Sequence, residues 1–218
     1  MIFYVNGDSN CYGTELSNPD KSWPKLLSDI FSATLINQAL PGACNSRTIR
    51  LTREFLQKDL DVKNLFVILA TTTWEREEWL HNGIYYNINA GTPLTRIPEH
   101  LHDRFKDWVV CQTETVRAYK SQNAHQQFYD LHLELKTQGI GHLFVHSVNP
   151  FMDGADYKTF EKFDWEQHFV DPYNQNSCYY WYLKNQGFEP TAGYHHREQV
   201  QDHWAKFIRQ YLKEKKLL

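Results

Sequence analysis

The strongest constraint on the fold is the recurrence of short apolar runs at residues 1–5, 33–37, 65–70 and 142–147, separated by stretches with helical spacing. A run that is apolar throughout, rather than at alternate positions, suits a strand covered on both faces, as in a parallel sheet. Leu65-Phe66-Val67-Ile68-Leu69-Ala70 is the clearest of them. Between the runs, Ser22-Trp23-Pro24 has the capping serine and early proline of a helix start, and a further helix is expected from near Ser46 through Ile49, Leu51 and Phe55 to about Leu60. Residues 100–136 read as long helical material with one or two breaks, and 197–213 carry Val200, Trp204, Phe207, Ile208 and Tyr211 on one stripe. Strand and helix therefore alternate, which predicts parallel βαβ units in a three-layer α/β/α arrangement with a mostly parallel, flavodoxin-like central sheet. Asn82-Gly83 before residues 84–88 predicts a small hairpin that covers the site formed at the strand ends, and residues 149–188 follow no readable pattern.

With 218 residues, 41% hydrophobic, and no Pro-, Gly- or Ser-rich linker, the chain is expected to form a single domain over 1–218 with a sizeable core. A net charge of −3, with its basic cluster confined to Lys213-Glu214-Lys215-Lys216, gives no footprint for a nucleic-acid backbone. No apolar run approaches the roughly 18–20 residues that span a bilayer, so no membrane association is expected. Cys11, Cys44, Cys111 and Cys178 form no CxxC pair and follow no signal peptide, which predicts a cytoplasmic protein of a host or a virus-infected cell. The aromatic groups around Trp74–Tyr86 and Tyr179–Tyr182 are read first as core, and second as a surface for planar ligands. The pairs His100/His102 and His195/His196 have no carboxylate or cysteine at a supporting spacing, so neither a metal nor another cofactor is expected.

The first apolar run leads directly into Gly7-Asp8-Ser9-Asn10-Cys11-Tyr12-Gly13. In an open α/β sheet, ligands bind outside the carboxyl ends of the strands, where this turn places a serine. Asp8 is suited to fixing the turn by accepting from nearby backbone N–H groups. Two further strand ends lead to Gln38–Ser46, rich in helix breakers, and to Thr71-Thr72-Thr73-Trp74-Glu75-Arg76-Glu77. Thr73, Glu75 and Arg76 are candidates for the substrate cleft, although Glu75–Trp79 reads equally as the acidic first turn of a helix.

In order and spacing these segments resemble the SGNH (GDSL-type) hydrolases along nearly the whole chain. Gly7-Asp8-Ser9 resembles that family's first block, which implies Ser9 as nucleophile, with its own N–H in the oxyanion hole. Leu40-Pro41-Gly42-Ala43-Cys44-Asn45 resembles the second, implying that the Gly42 N–H is another oxyanion donor, with Asn45 able to add its amide. The segment before the last helix resembles the family's His-Pro block, which places the base at His195, or at His196 if the alignment slips by one. Trp23-Pro24, Pro41-Gly42-x-x-Asn45-x-Arg47 and Glu75-Arg76-Glu77 resemble a divergent branch in bacteriophages and marine bacteria.

Two positions depart from the family pattern. The asparagine of the third block is absent, so a threonine hydroxyl or Asn45 must complete the oxyanion hole. The acid three residues before the histidine is replaced by Ala192, which leaves a Ser-His dyad, a backbone carbonyl, or a carboxylate from elsewhere such as Asp171 or Glu75. The resemblance implies a serine esterase acting on a small-molecule or carbohydrate ester. The competing readings are a catalytically degenerate binding protein on the same fold and an acyltransferase using the same serine.

Overall fold

The computed structural model describes residues 1–58, 61–151 and 162–218. The chain opens with strand β1 (Ile2–Asn6), the short helix α1 (Ser9–Tyr12) and helix α2 (Trp23–Ile30), then β2 (Thr34–Asn37), α3 (Asn45–Leu56) and β3 (Leu65–Thr71). A hairpin of β4 (Glu77–His81) and β5 (Ile84–Ile88) follows, then α4 (His102–Val110), α5 (Glu114–Thr137), β6 (Gly141–His146), α6 (Tyr179–Asn185) and α7 (Glu198–Glu214). Four strands form one parallel sheet in the order β2-β1-β3-β6, with Tyr4 opposite both Ile36 and Val67, and Leu69 opposite Phe144. Beyond β6, an isolated parallel bridge continues the sheet: the Phe144 N–H donates to His168 O (2.7 Å) and the Val170 N–H to Phe144 O (3.0 Å).

The period of two along each strand separates the layers. Phe3, Val5, Phe66, Ile68, Leu143 and Val145 share one core with Trp23 and Leu27 of α2 and with Trp204, Ile208 and Leu212 of α7. Tyr4, Val67, Leu69 and Phe144 share the other with Ile49 and Phe55 of α3 and with Phe128, Leu131 and Leu135 of α5. This is the expected α/β/α arrangement, with β1 and β3 central and apolar on both sides. Trp74, Trp79, Tyr179 and Tyr180 are buried, so half of each aromatic group is core, while Tyr86, Trp181 and Tyr182 are half-buried and Tyr85 stays 42% exposed. Among the described residues, no helix is long and apolar enough to cross a membrane.

Three local expectations change. Helix α3 ends at Leu56, and the expected end at Leu60 lies outside the described residues. Residues 77–79 are strand rather than helix. Arg50 of α3 holds Glu78 through two hydrogen bonds (2.9 and 2.8 Å), Lys120 of α5 pairs with Glu77 (2.6 Å), and both ties favour an extended segment lying across the two helices. Third, the unreadable region contains α6. The Asn82-Gly83 turn behaves as expected, with φ of 48° and 76°, the positive pair that a two-residue hairpin turn of this hand needs.

Under the α3/α5 face lies a set of buried histidines whose ring protons can be assigned from their partners. The Ile140 carbonyl can only accept, so His142 Nδ1 donates to it (2.8 Å) and His142 Nε2 accepts from His132 Nδ1 (2.8 Å). His146 donates from Nε2 to Pro172 O (2.9 Å) and accepts the Thr71 hydroxyl at Nδ1 (2.5 Å). Burial pushes His125 and His132 down to about 4, and His142 and His146 down to about 3.

These groups stay neutral in the fold, whereas unfolded histidine takes a proton near pH 6.5, so the unfolded chain binds more protons in the interval between. Stability is therefore full above about pH 6.5 and falls with acid until pH 4 to 3, each histidine contributing up to about 1.4 kcal/mol per pH unit. Urea unfolding at pH 7.5 and pH 5.5 is expected to show a clearly lower midpoint at the acid value. A midpoint equal at both would mean that the buried rings carry protons in the fold.

Candidate active site

The carboxyl ends of β1, β3 and β6 meet at one buried side chain. Asp8, directly after β1, is 1% exposed. Its Oδ1 accepts the Asn10 N–H (3.0 Å), which caps α1, and the Ser147 hydroxyl just beyond β6 (2.9 Å). Its Oδ2 accepts the Thr72 hydroxyl just beyond β3 (3.2 Å) and lies 3.6 Å from Arg76 Nη1. Asp8 thus does more than hold its own turn: it joins three strand ends.

Ser9 is the first residue of α1, where the helix leaves leading N–H groups without intrahelical acceptors. Gly7 is fixed by close approach, since a Cβ there would lie 2.8 Å from Cys11 Sγ and 3.0 Å from the Ala70 Cβ. The Gly7 carbonyl accepts the Leu40 N–H (3.2 Å), which ties the serine turn to the loop carrying Gly42. Gly42 has φ of 77°, a left-handed conformation that costs other residues strain.

The three threonines after β3 divide their roles. The Thr71 hydroxyl is engaged with His146, and that of Thr72 lies between Asp8 and Arg76 Nη1 (2.7 Å). The Thr73 hydroxyl is buried and has no hydrogen-bond partner among the described residues. Asn45 clasps the Thr72 peptide, its Oδ1 accepting the Thr72 N–H (2.9 Å) and its Nδ2 donating to Thr72 O (3.2 Å), which leaves one amide hydrogen beyond the clasp. Arg76 turns inward to Thr72, Asp8 and the Ala43 carbonyl (3.4 Å), and so braces the loops. Glu75 buries Oε2 without a hydrogen-bond partner among the described residues, and its backbone carbonyl accepts from Lys120 (3.2 Å). Arg76 and Asn45 border a small cleft of about 170 Å³ with Trp74 and Lys120, separate from the groove that Gly42 lines.

That groove, about 730 Å³, lies between the serine turn and the hairpin, with Tyr12, Gly42, Tyr85, Tyr86, Asn87 and Arg96 among its walls. The hairpin at Asn82-Gly83 thus forms one wall of this groove. Tyr12 follows Ser9 by three residues and is 50% exposed.

The two adjacent histidines face different surroundings. His196 is 1% exposed; its Nε2 donates to Tyr180 O (3.3 Å), its ring lies against Tyr179 and Tyr180, and burial lowers its affinity for a proton. His195 instead points Nδ1 toward Glu15, 3.5 Å from Oε1, and packs its loop against the segment just after α1. The carboxylate beside His195 is thus neither Asp171, whose Oδ2 accepts the Ser177 hydroxyl (2.8 Å), nor Glu75. Glu15 escaped the sequence reading because it lies 180 positions from His195, with no signal of spacing to join them.

No family model and no curated protein matches the sequence. Solved structures match the fold. TesA superposes over 100% of both chains with a TM-score of 0.56 at 13% identity. The psychrotrophic esterase EstA from Pseudoalteromonas sp., in a structure inhibited by monoethylphosphonate, superposes over 98% of this chain and 97% of its own, with a TM-score of 0.53 at 12% identity. A two-domain esterase (CEX) active on acetylated mannans, co-crystallised with mannopentaose, covers 100% of this chain and 50% of its own, with a TM-score of 0.52 at 13% identity.

The Asp8 clasp is open to a direct test. Asp8→Ala would leave two buried hydroxyls and a cap N–H without their acceptor, and is expected to cost about 3 kcal/mol or more. Asp8→Asn, which keeps an acceptor for the cap, should cost less. Urea midpoints measure both, and an Asp8→Ala loss below about 1 kcal/mol would show that the strand ends are held by other contacts.

Proposed function

We propose that this chain, which has the SGNH-hydrolase fold, cleaves ester bonds through a serine mechanism. Two of the solved structures that share its fold are esterases, which supports ester hydrolysis as the activity. In this reading His195 takes the Ser9 hydroxyl proton, Ser9 attacks the acyl carbonyl, and the alcohol leaves with that proton. Water, deprotonated by the same histidine, then releases the acid. The N–H groups of Ser9 and Gly42 stabilise the oxyanion, and the Thr73 hydroxyl takes the place of the missing amide. Asn45 acts one step back, by fixing the peptide that carries Thr73.

One observation carries the reading: three segments far apart in sequence converge beyond the same sheet edge. The serine turn is bonded to the Gly42 loop, Gly42 opens onto the groove, and the His195 loop rests on the residues that follow α1. The Thr73 hydroxyl, without a partner among the described residues, adds to it, because a buried donor with nothing to bind is costly unless a ligand completes it.

The groove walls fit an O-acylated carbohydrate. Tyrosine faces suit sugar rings, and Asn87 and Asn89 offer amides to hydroxyls. CEX, one of the neighbours, is active on acetylated mannans.

The test is hydrolysis of short-chain p-nitrophenyl esters and of acetylated oligosaccharides, with a fluorophosphonate label on the purified protein. Ser9→Ala should abolish labelling and turnover, and His195→Ala should lower kcat by about 10³-fold or more. Thr73→Val, which keeps the shape and removes the hydroxyl, should lower kcat by about 10²-fold with little change in KM. Absence of labelling and turnover in the parent protein would assign the groove to ligand binding alone. Acyl transfer to added alcohols in preference to water would assign an acyltransferase.

A further inference from the structure

We propose that Glu15, supplied from the loop just after the serine helix, is the carboxylate that positions His195. This inference rests on the reading of Ser9 and His195 given above and adds the member that Ala192 cannot supply.

Four features converge on it. Glu15 Oε1 lies 3.5 Å from His195 Nδ1, a buried nitrogen with no other hydrogen-bond partner among the described residues. The Thr191 hydroxyl donates to the other oxygen, Oε2, and so fixes the orientation of the carboxylate from within the histidine loop itself. Thr191 is in turn locked to His195, its N–H donating to His195 O (2.7 Å) and its hydroxyl accepting the His195 N–H (3.2 Å). Between the two, Gly193 leaves room: a Cβ there would stand 2.0 Å from Glu15 Oε1 and 2.9 Å from its Cδ.

The backbone supports the same contact from both sides. Glu15 and Tyr194 hold φ of 65° and 63°, left-handed conformations that non-glycine residues adopt at a cost, and they sit at the two segments that face each other here. The Thr191 hydroxyl and the His195 ring both hold the Glu15 carboxyl below the usual carboxylate range, so it is ionised at neutral pH. A shift of a few tenths of an ångström closes 3.5 Å to a hydrogen bond, and catalytic contacts are often loose before substrate arrives.

The consequence is one of tautomer. With Nδ1–H donated to Glu15, the free lone pair is on Nε2, the nitrogen that must accept the Ser9 proton, and the carboxylate faces the imidazolium that forms. No proton passes to Glu15. Its side chain is 40% exposed, so water shares its charge and its effect should be smaller than that of a fully buried acid, for which loss costs about 10⁴-fold.

The experiment compares Glu15→Gln and Gly193→Ala with the parent protein by ester kinetics, thermal unfolding and ¹⁵N-detected NMR of the His195 ring. Glu15→Gln keeps an oxygen for Thr191 but loses the charge, and Gly193→Ala drives the carboxylate away while leaving Glu15 in the sequence, its methyl standing 3.2 Å from His195 Nδ1 as well. Both are expected to lower kcat by about 10- to 100-fold with KM within about twofold. The unfolding midpoint should hardly change, and the Nδ1–H tautomer should lose its preference. Glu15→Asp should restore part of the activity, which a purely structural role would not require.

Parent-like kcat and an unchanged tautomer in Glu15→Gln would overturn the proposal while leaving the serine mechanism intact. A parent protein without turnover whose ring tautomer still depends on Glu15 would sustain the pairing and overturn the esterase reading. Should Glu15→Gln fail to fold, Gly193→Ala decides the matter by the same measurements.

Discussion

The buried carboxylate of Asp8 is the contact on which the sheet edge depends. Parallel strands are bonded along their length, but beyond their carboxyl ends nothing in the ladder fixes where the chains go next. Here the ends of β1, β3 and β6 are joined through one side chain that accepts from Asn10, Ser147 and Thr72 and has Arg76 close by. Removing a carboxylate from water costs several kcal/mol, and only this number of donors, with a cation beside them, makes the burial tolerable. Because Ser9 is the next residue, its position is inherited from a point held by three strand ends.

The same economy of partners orders the loop after β3. Three consecutive threonines present three hydroxyls, and the neighbours take them in turn: His146 engages the first, Asp8 and Arg76 the second. The third, on Thr73, is buried and has no partner among the described residues. Asn45 pins the peptide between them by a paired hydrogen bond, and Asn45 is itself the first residue of α3, directly after the Gly42 turn. The two loops therefore cannot move independently, and a donor on one keeps its register with a donor on the other.

The sequence made the layers legible because strands covered on both faces must be apolar throughout, as residues 65–70 are, and because the α7 stripe leaves one helical face to bury. It made the serine turn legible because Gly7, Asp8 and Ser9 are contiguous. Other features depend on distance in space rather than in sequence. Glu75–Trp79 reads as an acidic helix start as readily as a cleft segment, and only Lys120 and Arg50, far off in sequence, hold Glu77 and Glu78 extended. The inward turn of Arg76 follows from Asp8 lying beneath it, and the different settings of His195 and His196 follow from which of two neighbouring rings meets the Tyr180 carbonyl and which meets Glu15. The Glu15–His195 approach joins opposite ends of the chain, and neither residue lies in a pattern that names the other.

Asp8 and Glu15 show how differently two carboxylates can be tied to a fold. Asp8 is enclosed by donors from three segments, and moving it to another position would require those hydroxyls and the cap to find new acceptors at once. Glu15 is 40% exposed, so little desolvation opposes its placement, and two features of the histidine loop suffice to receive it: the Thr191 hydroxyl and the absent side chain of Gly193. An orienting charge at the solvent edge can therefore be supplied from whichever segment passes within reach of the ring, whereas the charge beneath the serine has no alternative site. The fold thus ties Asp8 from three sides, whereas the carboxylate that faces His195 is received by the histidine loop alone.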